Sequence, residues 1–204
     1  MKVFANIISA VFHPLLMVMY GMALALSFTY LDIYPAAVKM YLLAGVALCT
    51  IVVPGLILLL MIKGGMATDL ELTNRHERAI PYLVFIASNM TCLFYLLKMQ
   101  MPLWMLSMFG GVCLSLFVAL FINFAWKISI HTLGAGSLFG AIMGVARTHA
   151  LNPAWLLIAV VIAAGLLASS RMILGKHTPL QVYAGFLLGL ACTFAASFAG
   201  HILY

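Results

Sequence analysis

The residues best suited to chemistry lie in one polar segment, SSRMILGKHTPLQV, between two apolar stretches. Its reactive members are Ser170, Arg171, His177 and Gln181. A neutral imidazole can attack phosphorus and hold a phosphoryl group, while a guanidinium pairs its N–H donors with phosphate oxygens. The segment therefore predicts phosphoryl chemistry at the surface of a membrane.

A second polar segment, WKISIHTLGAG, comes at the head of another apolar stretch. It contains Lys127, Ser129 and His131. A second imidazole could supply the proton that a leaving oxygen needs. No acidic cluster accompanies the histidines, because the whole chain has only four Asp and Glu residues. Together the two segments predict a histidine nucleophile that uses neither a metal ion nor another cofactor.

The composition places both segments in a membrane protein. Of the 204 residues, 66% are hydrophobic and 7% are charged, whereas about 25% are charged in a soluble domain. A membrane-spanning helix needs roughly 20 mostly apolar residues. The segments that meet this length are 3–29, 36–62, 80–98, 102–122, 131–149, 153–169 and 179–203.

We therefore predict an all-α, polytopic membrane helix bundle of about seven transmembrane helices, forming a single domain over residues 1–204. A count of six also stays open, in which 102–122 or 153–169 is a re-entrant or interfacial segment. Small residues recur every four positions at Gly136, Gly140 and Gly144, and again at Gly185 and Gly189. This spacing lets helix backbones approach closely in lipid.

Seven spans would bring the polar loops together on one face of the membrane, which we call the site side. The N-terminus and the loops 63–79, 123–130 and 170–178 lie there, with seven of the ten basic residues. Arg75 and Arg78 are three residues apart, so on a helix they share one face. The net charge of +6 favours contact with anionic lipids, and it is too thinly spread to predict nucleic-acid binding.

These motifs resemble those of the type 2 phosphatidic acid phosphatase family, which shares its core with vanadium haloperoxidases. The last motif of that family is Ser-Arg-x5-His-x3-Asp. Ser170, Arg171 and His177 match it, and Gln181 occupies the place of the aspartate.

The resemblance extends over about residues 70–190, with the three motifs in the family's order. The middle motif, Pro-Ser-Gly-His, is matched at Ser129 and His131, while isoleucines replace its proline and glycine. The first motif, Lys-x6-Arg-Pro, is not reproduced. Arg75, Arg78 and Pro81 form only a loose counterpart.

The resemblance implies a role for each matched residue. His177 would be the nucleophile that takes the phosphoryl group, and His131 would be the general acid for the departing alcohol or phosphate. The side chains expected around the phosphate oxygens are Arg171, Ser129, Arg75, Arg78 and Ser170, with Lys127 as a further point charge. The implied activity is the hydrolysis of a lipid phosphate or an isoprenoid diphosphate.

Gln181 is the main departure from the family pattern. Its side-chain oxygen can accept the imidazole N–H of His177, but it lacks the negative charge of an aspartate. The sequence also fits a capping box, with Thr178 as N-cap, Pro179 in the first helical position and Gln181 in the third. Glu77 could supply the missing carboxylate through space.

Other functions stay open at this level. The altered motifs could mark a non-catalytic relative that binds or transports anionic lipids, or the chain could be an unrelated transporter. We expect a bacterial inner membrane. Many bacterial relatives face the periplasm, whereas Lys2 beside a short N-terminus slightly favours a cytoplasmic site. The sequence does not predict the particular lipid or the oligomeric state.

Overall fold

The computed structural model describes residues 1–69, 75–148 and 153–202, and the part that it describes is helical and contains no strand. The all-α prediction is confirmed for these residues. Two 3-10 turns and one π-helical turn, Leu48–Val52, join the longer helices. The α-helices are α1 (Lys2–Val11), α2 (Pro14–Phe28), α3 (Ala36–Ala47), α4 (Val53–Lys63), α5 (Ala79–Lys98), α6 (Leu103–Ala125), α7 (Ile130–Thr148), α8 (Ala154–Ile173) and α9 (Pro179–Ile202).

Several of these helices are long and apolar enough to cross a membrane, as in an integral membrane protein. In the described residues five segments qualify: α3 with α4 as one continuous segment, α5, α6, α8 and α9. A sixth span results if the bent pair of α1 and α2 counts as one. Seven spans are not confirmed. The six-span alternative removed either 102–122 or 153–169, and both segments correspond to long helices, α6 and α8.

The predicted first span is broken where α1 meets α2. The two helices are bent by 53°, and the break falls at His13, whose backbone is extended with φ −66° and ψ 141°. Pro14 has no N–H, and its ring disfavours a helical conformation for the preceding residue. The proline is thus the physical reason for the bend.

Helices α7 and α9 are packed with their backbones in close contact, as the glycine spacing predicts. A Cβ atom on Gly136 would overlap the carbonyl of Phe186, and one on Gly189 would overlap the carbonyl of Leu133. The two helices run in parallel, because the N-terminal turns of both meet. There Ser129 N–H donates to the carbonyl of Gln181 at 3.3 Å. Both helices therefore begin on the same face of the bundle.

Substitution of Gly189 by alanine tests this packing. We expect Gly189→Ala to lower the thermal unfolding midpoint in detergent, because an overpacked core costs about 1–3 kcal/mol. Gly165→Ala is the matched control, since a Cβ there meets nothing within 4 Å. Replacement of a helical glycine by alanine at an open position should leave the thermal unfolding midpoint unchanged or raise it. Equal midpoints for the two variants would contradict close contact between α7 and α9.

Candidate functional site

His177 lies in a short turn that reverses the chain between α8 and α9. Gly175 has φ +66°, a left-handed conformation that glycine adopts without strain. Lys176 N–H donates to the carbonyl of Arg171 at 3.1 Å, and Gly175 N–H donates to Met172 at 2.9 Å. These bonds form a Schellman motif that ends α8. The predicted loop at 170–178 is therefore wrong at its start, because Arg171 still lies in the last turn of α8.

Gln181 makes both of the interactions considered for it. Its Oε1 atom lies 3.1 Å from Nδ1 of His177 and accepts the backbone N–H of Thr178 at 3.1 Å. The Thr178 N–H is a donor, so the oxygen of the Gln181 amide, and not its NH2 group, must face Thr178 and His177. Nδ1 of His177 must then carry the proton that it donates to Oε1. The Nε2 atom of His177 is left with its lone pair.

Two buried arginines supply positive charge near this imidazole. Arg78 and Arg171 are only 2% and 1% exposed, and Nη1 of Arg78 donates to the carbonyl of Ile128 at 3.1 Å. Burial, with a further contribution from Arg171, lowers the pKa of Arg78. Burial and the charges of both arginines also lower the pKa of His177 to about 3. The His177 imidazole is therefore neutral at physiological pH.

Ser129 and Lys127 lie in the segment before α7, next to this group. Ser129 is buried, and its Oγ accepts the N–H of Thr132 at 3.5 Å at the start of the helix. The Thr132 hydroxyl donates to the carbonyl of Val182 at 2.9 Å, so the first turns of α7 and α9 are joined by two hydrogen bonds. Burial, followed by the charge of Arg78, lowers the pKa of Lys127. Lys127 is thus part of the same cationic group.

For Ser170, Glu77 and Arg75 the described structure gives local hydrogen bonds or the backbone alone. The hydroxyl of Ser170 donates to the carbonyl of Leu166 at 2.8 Å within α8, which leaves it oriented along its own helix. The Glu77 carboxylate accepts the N–H and hydroxyl of Thr68 at 2.7 and 3.0 Å. Glu77 is thereby linked to Thr68, while His177 is held by Gln181. The side chain of Arg75 lies outside what the structure describes, although its backbone is in a 3-10 turn.

His131 has an unexpected neighbour, His13. The two ring centroids are 5.4 Å apart and the ring planes are 82° apart. His131 is buried, and among the described residues its Nε2 atom has no hydrogen-bond partner. His13 caps α2, because its Nδ1 accepts the N–H of Leu15 at 3.4 Å. The sequence gives one signal for this contact, a His-Pro pair that breaks an apolar span on the site side.

The described part of the site therefore combines two imidazoles with buried positive charge and the N-terminal ends of two helices. Helix N-termini direct unpaired N–H groups and a positive partial charge toward a bound anion. Guanidinium groups match the geometry of phosphate oxygens. The arrangement suits a phosphate group placed beside a neutral nucleophilic nitrogen. Comparisons with protein-family models, with curated proteins and with solved structures find no match to this chain.

The ionisation of His177 can be measured directly. An unfolded histidine binds a proton near pH 6.5, whereas folded His177 binds one only near pH 3. Its contribution to stability is therefore complete above pH 6.5 and is lost as the pH falls toward 3. In histidine-labelled protein studied by NMR in micelles, we expect the His177 resonance to stay unchanged between pH 8 and about 5. The resonance is assigned by its loss in His177→Ala.

The variant Gln181→Glu provides the control for this titration. A carboxylate in place of the amide stabilises the imidazolium, so the pKa of His177 should rise. A wild-type resonance that already shifts near pH 6.5 would contradict a buried imidazole beside two guanidinium groups.

Proposed function

We propose that this chain is an integral membrane phosphatase that hydrolyses a lipid phosphate or isoprenoid diphosphate through a phosphohistidine intermediate. The observation that carries the proposal is the hydrogen bond between Nδ1 of His177 and Oε1 of Gln181, which leaves Nε2 as a free base. Neighbouring arginines bear the positive charge that a phosphoryl group needs. The proposal also rests on the resemblance of the motifs to those of type 2 phosphatidic acid phosphatases.

The reaction proceeds in two steps. Nε2 of His177 attacks phosphorus, an N–P bond forms, and the bond from phosphorus to the leaving oxygen breaks. His131, which holds an additional proton in the complex with the anionic substrate, gives that proton to the leaving oxygen, and this releases the alcohol from a monophosphate or a shorter phosphate ester from a diphosphate. Water then attacks the phosphohistidine, the N–P bond breaks, and His131 takes a proton from the water. Inorganic phosphate leaves, and both histidines return to their starting states.

The arginines and the helix ends stabilise charge during both steps. Arg78 and Arg171 are buried, so their charges act through a medium of low dielectric and are worth more than in water. Ser129 contributes its hydroxyl donor, and the N-terminal end of α7 contributes a positive partial charge. Lys127 contributes as a point charge nearer the surface.

The membrane arrangement forms part of the proposal. We infer that α7 is a seventh span, enclosed by α2, α6, α8 and α9, which all pack against it. A helix shielded from lipid by its neighbours can contain more glycine and serine than one that faces acyl chains. We place the protein in a bacterial inner membrane, with the site on the cytoplasmic side.

Phosphate release from a panel of lipid phosphates and diphosphates tests this function. We expect detergent-purified protein to release phosphate in the presence of a chelator, and His177→Ala to release none. His131→Ala should lower the rate by roughly 10²- to 10⁴-fold, which is the usual contribution of a general acid. His201→Ala is the control, because residue 201 lies at the opposite end of α9. Folded wild-type protein that releases no phosphate from any member of the panel would disprove the proposal.

A second candidate function follows from the neutral side chain of Gln181. An amide orients His177 but does not stabilise the positive charge of a phosphohistidine, as the family's aspartate would. The chain could then be a catalytically impaired relative that binds or transports anionic lipids. Binding of a lipid phosphate would in that case require Arg171 but not His177.

Gln181→Asp separates the two candidates. If the chain is an active phosphatase, we expect this variant to retain or raise the rate of phosphate release, because the carboxylate adds the missing charge. If the chain is a binding protein, the wild type releases no phosphate. The variant then either gains phosphatase activity or remains inactive, while lipid binding persists. Gln181→Leu is the matched control, since it removes both hydrogen bonds. It should abolish phosphate release by an active phosphatase and leave a binding protein without phosphatase activity.

A further inference from the structure

The phenol of Tyr82 lies one helical turn beyond Arg78, in the first turn of α5. The backbone of Arg78 is itself helical, and residues four apart share one face of a helix. A long helical side chain also points back toward the N-terminal end of its helix. The Tyr82 ring therefore extends toward Arg78 and the site side, and the two side chains act on each other electrostatically.

The ring of Tyr82 is packed against the segment that precedes α7. Tyr82 is 0% exposed, and its apolar cluster includes Ile128 and Ile130, the two neighbours of Ser129. The carbonyl of Ile128 also accepts the hydrogen bond from Nη1 of Arg78 at 3.1 Å. Arg78, Tyr82 and the segment around Ser129 are therefore held together as one packed unit.

The Tyr82 hydroxyl has no hydrogen-bond partner among the described residues. A buried tyrosine hydroxyl usually has one, because an unpaired polar group away from water costs free energy. Nε2 of His131 is a second buried atom without a partner in the described part of the chain. The charge of Arg78 acts on both residues, so two unpaired polar atoms from different helices lie near the same guanidinium.

The surroundings of these two atoms favour an anion as their ligand. A phenol hydroxyl can donate to a negatively charged acceptor, whereas a metal cation would be repelled by Arg78 and Arg171, which are both buried. A phosphate group has more oxygens than one guanidinium can use, since the fork of a guanidinium engages two of them. The remaining oxygens can therefore accept hydrogen bonds from neutral donors.

We propose that Tyr82 is a further phosphate-binding residue, whose hydroxyl donates a hydrogen bond to an oxygen of the phosphate bound beside Arg78. The inference rests on the proposed function, because that function supplies the phosphate. A neutral donor suits this position, since it binds an anion without adding a third positive charge to two buried guanidinium groups. Tyr82 lies outside the three sequence motifs, in an apolar run that predicts only a membrane span.

Tyr82→Phe removes the hydroxyl and keeps the packed ring. In the ligand-free protein we expect the thermal unfolding midpoint in detergent to stay unchanged or rise, because the lost group has no partner in the described structure. The same variant should bind inorganic phosphate at least tenfold more weakly, because hydrogen bonds to charged acceptors are among the stronger ones in proteins. A lower midpoint with unchanged phosphate affinity would show a purely structural role and overturn the proposal.

Tyr95→Phe is the matched control, because it removes a tyrosine hydroxyl from the opposite end of the same helix. The hydroxyl of Tyr95 already has a partner, the carbonyl of Tyr41 at 3.2 Å. We expect this variant to bind inorganic phosphate with the affinity of the wild type. An equal loss of phosphate affinity in Tyr82→Phe and Tyr95→Phe would contradict a direct contact between Tyr82 and the anion.

The binding and activity measurements together separate this inference from the proposed function. If no lipid phosphate is hydrolysed but Tyr82→Phe still weakens the binding of inorganic phosphate, the Tyr82 contact stands and the phosphatase proposal fails. If lipid phosphate is hydrolysed but Tyr82→Phe binds inorganic phosphate as tightly as the wild type, the contact fails alone. Folded wild-type protein that does not bind inorganic phosphate would also overturn the contact.

Discussion

The contact between α7 and α9 is the constraint on which the described site depends. Glycines at positions such as 136 and 189 remove the Cβ atoms that would otherwise separate the two backbones. Van der Waals packing of this kind is the main attraction between helices in lipid, where no hydrophobic force draws them together. Because the helices run in parallel, their first turns meet. His131 and His177, which are distant in sequence, consequently lie on one face.

The site is assembled at an electrostatic cost. Arg78 and Arg171 are both buried, and their charges add to the burial of His177 in lowering the pKa of its imidazole. Burial of like charges is unfavourable unless other groups compensate for it. In the proposed phosphatase, a bound phosphate would add negative charge beside both guanidinium groups.

The sequence predicts the local features of the site better than its long-range contacts. The link between His177 and Gln181 follows from a capping box, whose geometry depends on four neighbouring residues. Ser170 is predicted at the phosphate, and the structure adds that its hydroxyl bonds the carbonyl of Leu166 one turn before it, as a helical serine can. The contact of His13 with His131 depends on how a bent span packs, which no spacing encodes. The span count is also hard to predict, because α7 is enclosed by other helices.

The parallel pairing of α7 and α9 has a consequence for biosynthesis. Helix α9 follows the other eight helices in chain order, so it leaves the ribosome after them. Until it inserts beside α7, the nascent protein has His131 and the buried arginine of the 3-10 turn but lacks the imidazole held by Gln181. Under the proposed function, a partly synthesised chain would therefore contain the general acid without the oriented nucleophile. Insertion of α9 completes the packing against α7 and brings the two histidines to one face.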